Sequence, residues 1–437
     1  PSEKAVTPTA KTLSQADIAV RKRAQRKAQE TRDETEVKTF CKGCHQLDDP
    51  RQFTMQTWGR AVDYMYRLME DKRVATEGMP AKEMVMAYFA RHAASSVPPP
   101  KTYPLYEGRR RFRRENLGLR DEGSIVADLA QSGIKGRKAV LVADMLSGHI
   151  LRLDGDAYSE PKQLVRAEHP AQVSATDLDG DGIEDLLVAE LGTFLAVDDV
   201  RGKAVWFRGK RGGKYERVVL SEGLGRVADV KAADVDGDGD KDVLIAEFGW
   251  QKSGNLLLLE QTGGRGSKLT FKRHVIQPGH GATRVEANDV DGDGDLDLVA
   301  LFSQELESVV LFKNEGDLVF KRSELFRGPS PLWGMIGFHL VDVDSDGDQD
   351  IVHFNGDNLD SPKLAEFQGV YLLENKGSDG FENMKLATLP GAHDVAAGDF
   401  DGDGDTDLVA VASLPPMIEL TTTAVAVAPH KLPKTDA

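Results

Sequence analysis

Five aspartate-rich loops recur through the second half of this 437-residue chain and constrain its fold more than any other feature. Each loop spans nine residues, with carboxylates at positions 1, 3, 5 and 9 and glycine at position 6. We number them loop 1 (177–185), loop 2 (234–242), loop 3 (289–297), loop 4 (342–350) and loop 5 (399–407). Ca²⁺ takes about six to eight oxygen ligands, so a short loop must curl around it, and glycine permits the turn. The spacing therefore predicts five calcium loops.

Candidate ligands occupy positions 1, 3, 5, 7 and 9 of each loop. They are Asp177, Asp179, Asp181, Ile183 and Asp185 in loop 1; Asp234, Asp236, Asp238, Asp240 and Asp242 in loop 2; Asp289, Asp291, Asp293, Asp295 and Asp297 in loop 3; Asp342, Asp344, Asp346, Asp348 and Asp350 in loop 4; and Asp399, Asp401, Asp403, Asp405 and Asp407 in loop 5. Carboxylates crowded into one short loop repel one another unless a cation intervenes. Solvated Asp-Gly turns without metal are the alternative interpretation.

The loops recur with the period of a propeller blade. Their first residues are separated by 57, 55, 53 and 57 positions. This period is too long for helical or leucine-rich solenoids and is close to that of a four-stranded blade. Short apolar runs bounded by turn residues predict four strands per unit, for example over residues 283–288, 298–302, 308–313 and 318–323. The second half of the chain is thus predicted to be an all-β propeller.

An upstream unit near residues 126–143 extends the series. It has the same order of strands but a degenerate loop, with Asp128 at position 1 and Ala130 and Ser132 at the next ligand positions. We expect no Ca²⁺ there. This unit brings the prediction to six blades, or to seven if the sequence is truncated. Because an open ring leaves an unpaired strand edge, we expect residues 110–117 to supply the outer strand of the last blade.

The first half of the chain carries one redox motif, Cys41-Lys-Gly-Cys44-His45. On a helix these three side chains project from one face, so two thioethers can hold a porphyrin while the imidazole binds its iron. A thioredoxin-like pair gives the histidine no role, and a zinc site needs a second pair of ligands. The chain has only two cysteines, which excludes a disulfide framework. The motif therefore predicts one covalently attached haem c.

Residues 37–97 resemble small single-haem cytochrome c domains, in which a tryptophan-containing helix follows the haem motif and an aromatic-rich helix closes the domain. The resemblance implies that a methionine of the first of these helices, Met65, is the second axial ligand. Met79, in a Gly-Met-Pro loop, stands where more typical class I cytochromes c place theirs. We predict Met65, with Met79 as the alternative.

Residues 106–437 resemble the FG-GAP or VCBS repeats of integrin α-chain propellers and many bacterial surface proteins. The resemblance rests on the Asp-x-Asp-Gly-Asp-Gly-x-x-Asp form of the loops and on the apolar strand after each of them. It implies that the carboxylates bind Ca²⁺ at the rim of each blade. It also implies that innermost strands begin shortly before the loops. His169, Arg226, His280, Trp333 and His393 stand there, either as the mouth of a central channel or as exposed turn residues.

Together these patterns predict a charged helical extension (residues 1–36), an all-α cytochrome c domain (37–100) and a β-propeller (101–437). We expect an exported electron carrier rather than an enzyme, in the periplasm or at the cell surface, with the propeller as docking platform. Its expected partner is a redox protein or a larger membrane-associated or surface complex. No run of eighteen apolar residues predicts a membrane span, and the arginine cluster after Lys101 gives little support for nucleic-acid binding. A propeller dehydrogenase and a surface adhesion or assembly subunit are the alternatives.

Overall fold

Among the described residues, the α-helices lie before residue 100 and the antiparallel strands lie after residue 125. The computed structural model describes residues 15–41, 50–52, 55, 58–59, 62–63, 66, 79–93, 126–132, 139–154, 161–193, 197–304, 306–329, 333–357, 367–400, 404–412 and 424–427. The chain divides into two compact units, Pro1–Pro99 and Pro100–Ala437. Among the described residues, no helix combines the length and the apolarity that crossing a membrane requires.

The first unit contains helices α1 (Gln15–Cys41) and α2 (Lys82–His92) and a 3₁₀ turn (Pro50–Gln52). Glu34 of α1 joins the two helices, because its carboxylate lies 2.9 Å from His92 Nε2 and 3.4 Å from Arg91 Nε. The hydrogen bond with His92 lowers the pKa of Glu34. The predicted boundary between residues 36 and 37 lies within α1. An apolar cluster fills the unit and consists of Val37, Trp58, Val62, Val85, Tyr88 and Phe89.

The second unit is a β-propeller of antiparallel sheets, each a meander in chain order. Its strands are β1 (Val126–Ser132), β2 (Ala139–Asp144), β3 (His149–Asp154) and β4 (Lys162–Arg166) in blade 1; β5 (Pro170–Thr176), β6 (Asp185–Glu190), β7 (Gly202–Lys210) and β8 (Lys214–Leu224) in blade 2; β9 (Val227–Ala233), β10 (Asp242–Glu247), β11 (Asn255–Gly263) and β12 (Thr270–Pro278) in blade 3; β13 (Ala282–Asn288), β14 (Asp297–Phe302), β15 (Ser308–Asn314) and β16 (Phe320–Arg327) in blade 4; β17 (Met335–Val341), β18 (Asp350–Asn355), β19 (Gly369–Asn375) and β20 (Phe381–Thr388) in blade 5; and β21 (Ala392–Gly398), β22 (Asp407–Ala412) and β23 (Ala424–Val427) in an incomplete sheet. Short 3₁₀ turns occur at Gly266–Lys268 and Gly377–Asp379.

The number of complete blades differs from the prediction of six. The described residues form five four-stranded blades and one three-stranded sheet. Residues 110–117, which were expected to complete that sheet, lie outside the described residues. The prediction of a sixth complete blade relied on residues 110–117 for its outer strand.

The hydrophobic core lies between neighbouring blades rather than within any one of them. Apolar side chains of β6 and β7 pack against those of β9, β10 and β11, and the same arrangement joins each described sheet to the next. The second strands of blades 2 to 5 are buried along their whole length; Leu186, Leu244 and Leu298 have no exposed surface. A sheet with both faces covered reads as a continuous apolar run, which is why the strand after each loop is so hydrophobic.

Polar side chains of the innermost strands join one blade to the next. The backbone N–H of Val173 in β5 donates to Asp128 of β1 (3.1 Å), and the N–H of Val285 in β13 donates to Asp229 of β9 (3.0 Å). The carboxylate of Asp128 is therefore a strand residue that fastens two blades. The expectation that Asp128 begins a degenerate loop is wrong, because residues 126–132 form β1.

Blade 5 contains a buried histidine that should make the propeller sensitive to acid. His353 of β18 has no exposed surface, and its Nε2 lies 2.9 Å from Asn383 Oδ1. Burial lowers the pKa of His353 to about 4. In the unfolded chain this histidine takes up a proton below about pH 6.5. The folded state therefore keeps its full stability above that pH and loses stability as the pH falls toward 4.

The propeller should lose stability between pH 7 and pH 4.5. We expect this loss to be smaller by on the order of 2 to 3 kcal/mol in the His353→Phe protein. Urea unfolding at the two pH values, at constant free calcium, measures this difference. The exposed His393→Gln serves as the control and should keep the pH dependence of the parent. An equal loss of stability in the His353→Phe protein would contradict the assignment.

Candidate metal centres

Each acidic loop connects the innermost strand of its sheet to the second strand. Loop 1, for example, joins β5 to β6, and loop 4 joins β17 to β18. The glycine at position 6 has a left-handed backbone in all five loops, with φ of 78° at Gly182, 96° at Gly239, 99° at Gly294, 99° at Gly347 and 93° at Gly404. A residue with a Cβ would be strained there, so the prediction that glycine permits the turn is confirmed.

In each of four loops, three aspartates bring their carboxylate oxygens close together. Ligand oxygens within each group lie within 4.8 Å of one another. The groups are Asp177, Asp179 and Asp185 in loop 1; Asp234, Asp236 and Asp238 in loop 2; Asp289, Asp291 and Asp297 in loop 3; and Asp342, Asp344 and Asp350 in loop 4. All are carboxylates, the ligand class that hard cations such as Ca²⁺ prefer. These clusters are compatible with Ca²⁺ binding. In loop 5, Asp401 and Asp403 lie outside the described residues.

Several of these oxygens fit a cation because the described part of the chain gives them no hydrogen-bond donor. One oxygen each of Asp179, Asp234 and Asp342 is buried and accepts no hydrogen bond from the described residues. A buried carboxylate oxygen without a partner costs roughly 1 to 3 kcal/mol or more. A bound cation would satisfy these oxygens, so the donor set and its burial both fit Ca²⁺.

The aspartate at position 9 does more than offer a ligand. Asp185 is completely buried; its Oδ2 accepts the N–H of Leu178 in the loop (2.9 Å), and its Oδ1 accepts the N–H of Gly209 in β7 (2.6 Å). Position 9 therefore ties the loop to the third strand of the blade. The same pair of bonds recurs from Val235 and Gln261 to Asp242, from Val290 and Asn314 to Asp297, and from Val343 and Asn375 to Asp350.

Burial and crowding make some of these carboxylates weak acids. Burial, with Asp236 and Asp238 nearby, raises the pKa of Asp242 to about 6. Burial also raises the pKa of Asp350 to about 6, with Asp344 and Asp348 contributing. Ca²⁺ must displace the proton from such a group, so binding at loops 2 and 4 should weaken as the pH falls below about 6.

Two loops are contacted by basic side chains that the sequence analysis missed. In loop 1, Arg208 of β7 pairs with Asp179 and, at 2.6 Å, with Asp181. In loop 3, Lys313 of β15 pairs with Asp291 and, at 3.2 Å, with Asp293. Both residues are visible in the sequence as basic residues of a third strand, but their meaning depends on the register between that strand and the loop.

A cavity of about 270 Å³ lies among the innermost strands of blades 1 to 5. Its charged side chains pair with one another, as Lys231 does with Glu286 at 3.2 Å. Among the described residues that line this cavity, none is one of the five that the sequence placed near a channel mouth. Trp333, one of those five, instead stacks on Phe367 with ring centroids 4.9 Å apart.

One of the predicted haem residues lies at the end of α1. Cys41 is the last residue of that helix, is half-buried and packs against the apolar cluster of the first unit. Cys44, His45 and Met65 lie outside the described residues. Met79 is half-buried and precedes Pro80, whose carbonyl accepts the Tyr66 hydroxyl at 2.6 Å. The haem motif and the choice between the two methionines therefore stay predictions.

Fold and loops together define a β-propeller with aspartate-rich metal-site candidates. Residues 177–245 and 289–353 match a family model described as FG-GAP-like repeat, and residues 392–419 match one described as FG-GAP repeat. The matched stretches contain all five loops, so the chain carries FG-GAP repeats. Such repeats are typical of extracellular and surface proteins. No curated protein matches the chain.

Three solved structures are similar to the chain at low identity. They are the V. cholerae biofilm matrix protein Bap1 (18% identity, 65% of this chain and 43% of that chain, TM-score 0.37), BBS1N in complex with ARL6DN (14%, 59% and 68%, TM-score 0.36) and a functionally unknown protein from Desulfotomaculum acetoxidans DSM 771 (13%, 65% and 78%, TM-score 0.40). The chain spans less than half the length of the Bap1 chain that it matches.

Proposed function

We propose that the protein is an exported mono-haem c-type cytochrome that transfers electrons, with a calcium-stabilised propeller as its docking and assembly platform. The observation that carries the proposal is the placement of Cys41. The helix that bears it ends where Cys44 and His45 follow in sequence, and its thiol group adjoins a cluster rich in aromatic side chains. An apolar wall of this kind suits a porphyrin, and the two cysteines would anchor it covalently.

The surroundings of Cys41 suit a buried cofactor. Trp58 stacks on Phe89 with ring centroids 4.0 Å apart, and Met84 lies at the edge of the same cluster. Burial, together with the charges of Cys41 and Glu83, raises the pKa of Tyr66 to about 12. A tyrosine hydroxyl is neutral at physiological pH and adds no charge beside the cluster.

In this proposal Cys41 and Cys44 would hold haem covalently, and His45 would bind its iron. Met65 or Met79 would be the second protein ligand. When bound, haem supplies a one-electron redox centre. Attachment by this motif takes place in exported proteins, and calcium loops suit compartments where the ion is about millimolar. We therefore place the protein in the periplasm or at the cell surface, with a redox protein as partner.

The absorption spectrum of the full chain, produced in a host that attaches haem c, tests the proposal. We expect the reduced bands of a low-spin c-type cytochrome, and their complete loss in the protein with Cys41→Ser and Cys44→Ser. Fast reduction by purified periplasmic electron carriers without added substrate supports a carrier. A spectrum without haem would contradict the carrier and favour an adhesion or assembly subunit, whereas reduction only after addition of an organic substrate would favour a propeller dehydrogenase.

The second axial ligand has its own test. We expect Met65→Ala to abolish the methionine-to-iron charge-transfer band, whereas Met79→Ala keeps it. Met84→Ala removes a methionine that packs against the same cluster and serves as the matched control. If the band survives in the Met65→Ala protein and disappears in the Met79→Ala protein, the alternative ligand is correct.

A further inference from the structure

The third strand of each blade places one side chain at the same point relative to its acidic loop. In each of blades 2 to 5, one backbone N–H of the third strand donates to the position-9 aspartate. The side chain in question belongs to the residue immediately before that donor. By this register the equivalent residues are Arg208 in blade 2, Glu260 in blade 3, Lys313 in blade 4 and Glu374 in blade 5. The charge therefore alternates from blade to blade.

In blades 2 and 4 the basic side chain reaches the ligands themselves. Arg208 pairs with Asp179 and Asp181, at positions 3 and 5 of loop 1, and Lys313 pairs with the same two positions of loop 3. The side chain of Arg208 is 14% exposed and that of Asp179 only 1%, so this pair is shielded from solvent. A protein cation thus already neutralises carboxylate groups that Ca²⁺ would need.

In blades 3 and 5 a carboxylate stands at the equivalent position. Glu260 accepts hydrogen bonds from His274 (2.5 Å) and Lys272 (3.1 Å), and Glu374 pairs with Lys376 (2.6 Å). Loops 2 and 4 therefore have an anion at the position where loops 1 and 3 have a cation.

We propose that the propeller has two classes of calcium site on alternating blades. Loops 2 and 4 bind Ca²⁺ tightly, whereas loops 1 and 3 bind it weakly, because Ca²⁺ must displace or tolerate Arg208 or Lys313. The inference rests on the calcium-stabilised propeller of the proposed function. It adds that blades 2 and 4 carry their own counter-ion and keep their loops neutralised when calcium is low.

Calorimetric titration of the metal-free full chain with CaCl₂ at pH 7.5 tests this inference. We expect two binding phases in the parent. In the double variant R208Q/K313Q, the two sites of the weak phase should bind Ca²⁺ at least about tenfold more tightly. The reason is that each variant site loses a positive charge beside the divalent ion. In E260K/E374K, which introduces the cation into loops 2 and 4, the tight phase should lose at least about tenfold.

The double variant R201Q/R327Q is the matched control, because it removes two positive charges from the same two blades outside the loops, where Arg201 pairs with Asp199 and Arg327 with Glu324. It should reproduce the parent titration. The charge-retaining R208K/K313R should do the same. Circular dichroism establishes that each variant is folded, and the E260K/E374K arm decides the question if R208Q/K313Q is not.

Unchanged affinities in both R208Q/K313Q and E260K/E374K would overturn the two-class inference while leaving the calcium-binding propeller intact. Absence of Ca²⁺ binding in the parent would overturn the calcium-binding propeller as well. The two failures are therefore distinguishable in one set of titrations.

Discussion

Removal of calcium should lower the melting temperature of the propeller by at least about 10 °C. A ligand at ten to a hundred times its dissociation constant stabilises the folded state by about 1.4 to 2.7 kcal/mol per site. Four described loops bring three aspartates each to within ligand distance, so their combined contribution is roughly 6 to 11 kcal/mol. Differential scanning calorimetry at pH 7.5, in 1 mM free Ca²⁺ and in excess EGTA, measures the shift.

Magnesium provides the control for this experiment. Mg²⁺ is smaller and demands octahedral geometry with retained waters, so it should restore only a small part of the lost stability. Re-addition of Ca²⁺ should restore all of it. A melting temperature that is the same in EGTA and in Ca²⁺ would refute a structural role for the loops and would favour solvated Asp-Gly turns.

Asp350→Asn should destabilise the propeller even when no calcium is present. The two carboxylate oxygens of Asp350 accept the N–H groups of Val343 (3.0 Å) and Asn375 (2.8 Å) in a buried position. An asparagine of the same size turns an NH₂ group toward one of these donors and leaves it unsatisfied. We expect the free energy of unfolding to fall by about 2 to 4 kcal/mol in EGTA. Urea unfolding at pH 8 is suitable, because Asp350, with a pKa of about 6, is ionised there.

Asp346→Asn separates this anchoring role from ligand binding. Asp346 stands at position 5 of the same loop and is exposed. Its carboxylate accepts the N–H of Asp348 (3.1 Å), a residue of the same loop. Its replacement should change stability in EGTA by less than about 0.5 kcal/mol, yet weaken the stabilisation by Ca²⁺. Equal destabilisation by the two variants in EGTA would show that position 9 has no anchoring role.

Much of the propeller could be predicted from the order of residues. The strands predicted at 283–288, 298–302 and 308–313 correspond to β13, β14 and β15, because a short apolar run bounded by turn residues specifies a strand locally. The fourth was placed two residues early, at 318 instead of Phe320, where the pattern of an outer, half-exposed strand is weaker. The glycine at position 6 was also predictable, since glycine adopts that backbone without strain.

What the sequence determined by itself is the part that each repeat encodes locally, namely the acidic loops, their glycine turns and the apolar strand after each of them. Only the tertiary structure decided that Asp350 and its equivalents anchor a third strand, that Asp128 belongs to a strand, and that Arg208 and Glu260 occupy equivalent positions with opposite charge. Each of these depends on the register between segments some 20 to 45 residues apart in sequence. Hydrogen bonds across a sheet fix that register, and no local pattern of residue types encodes it.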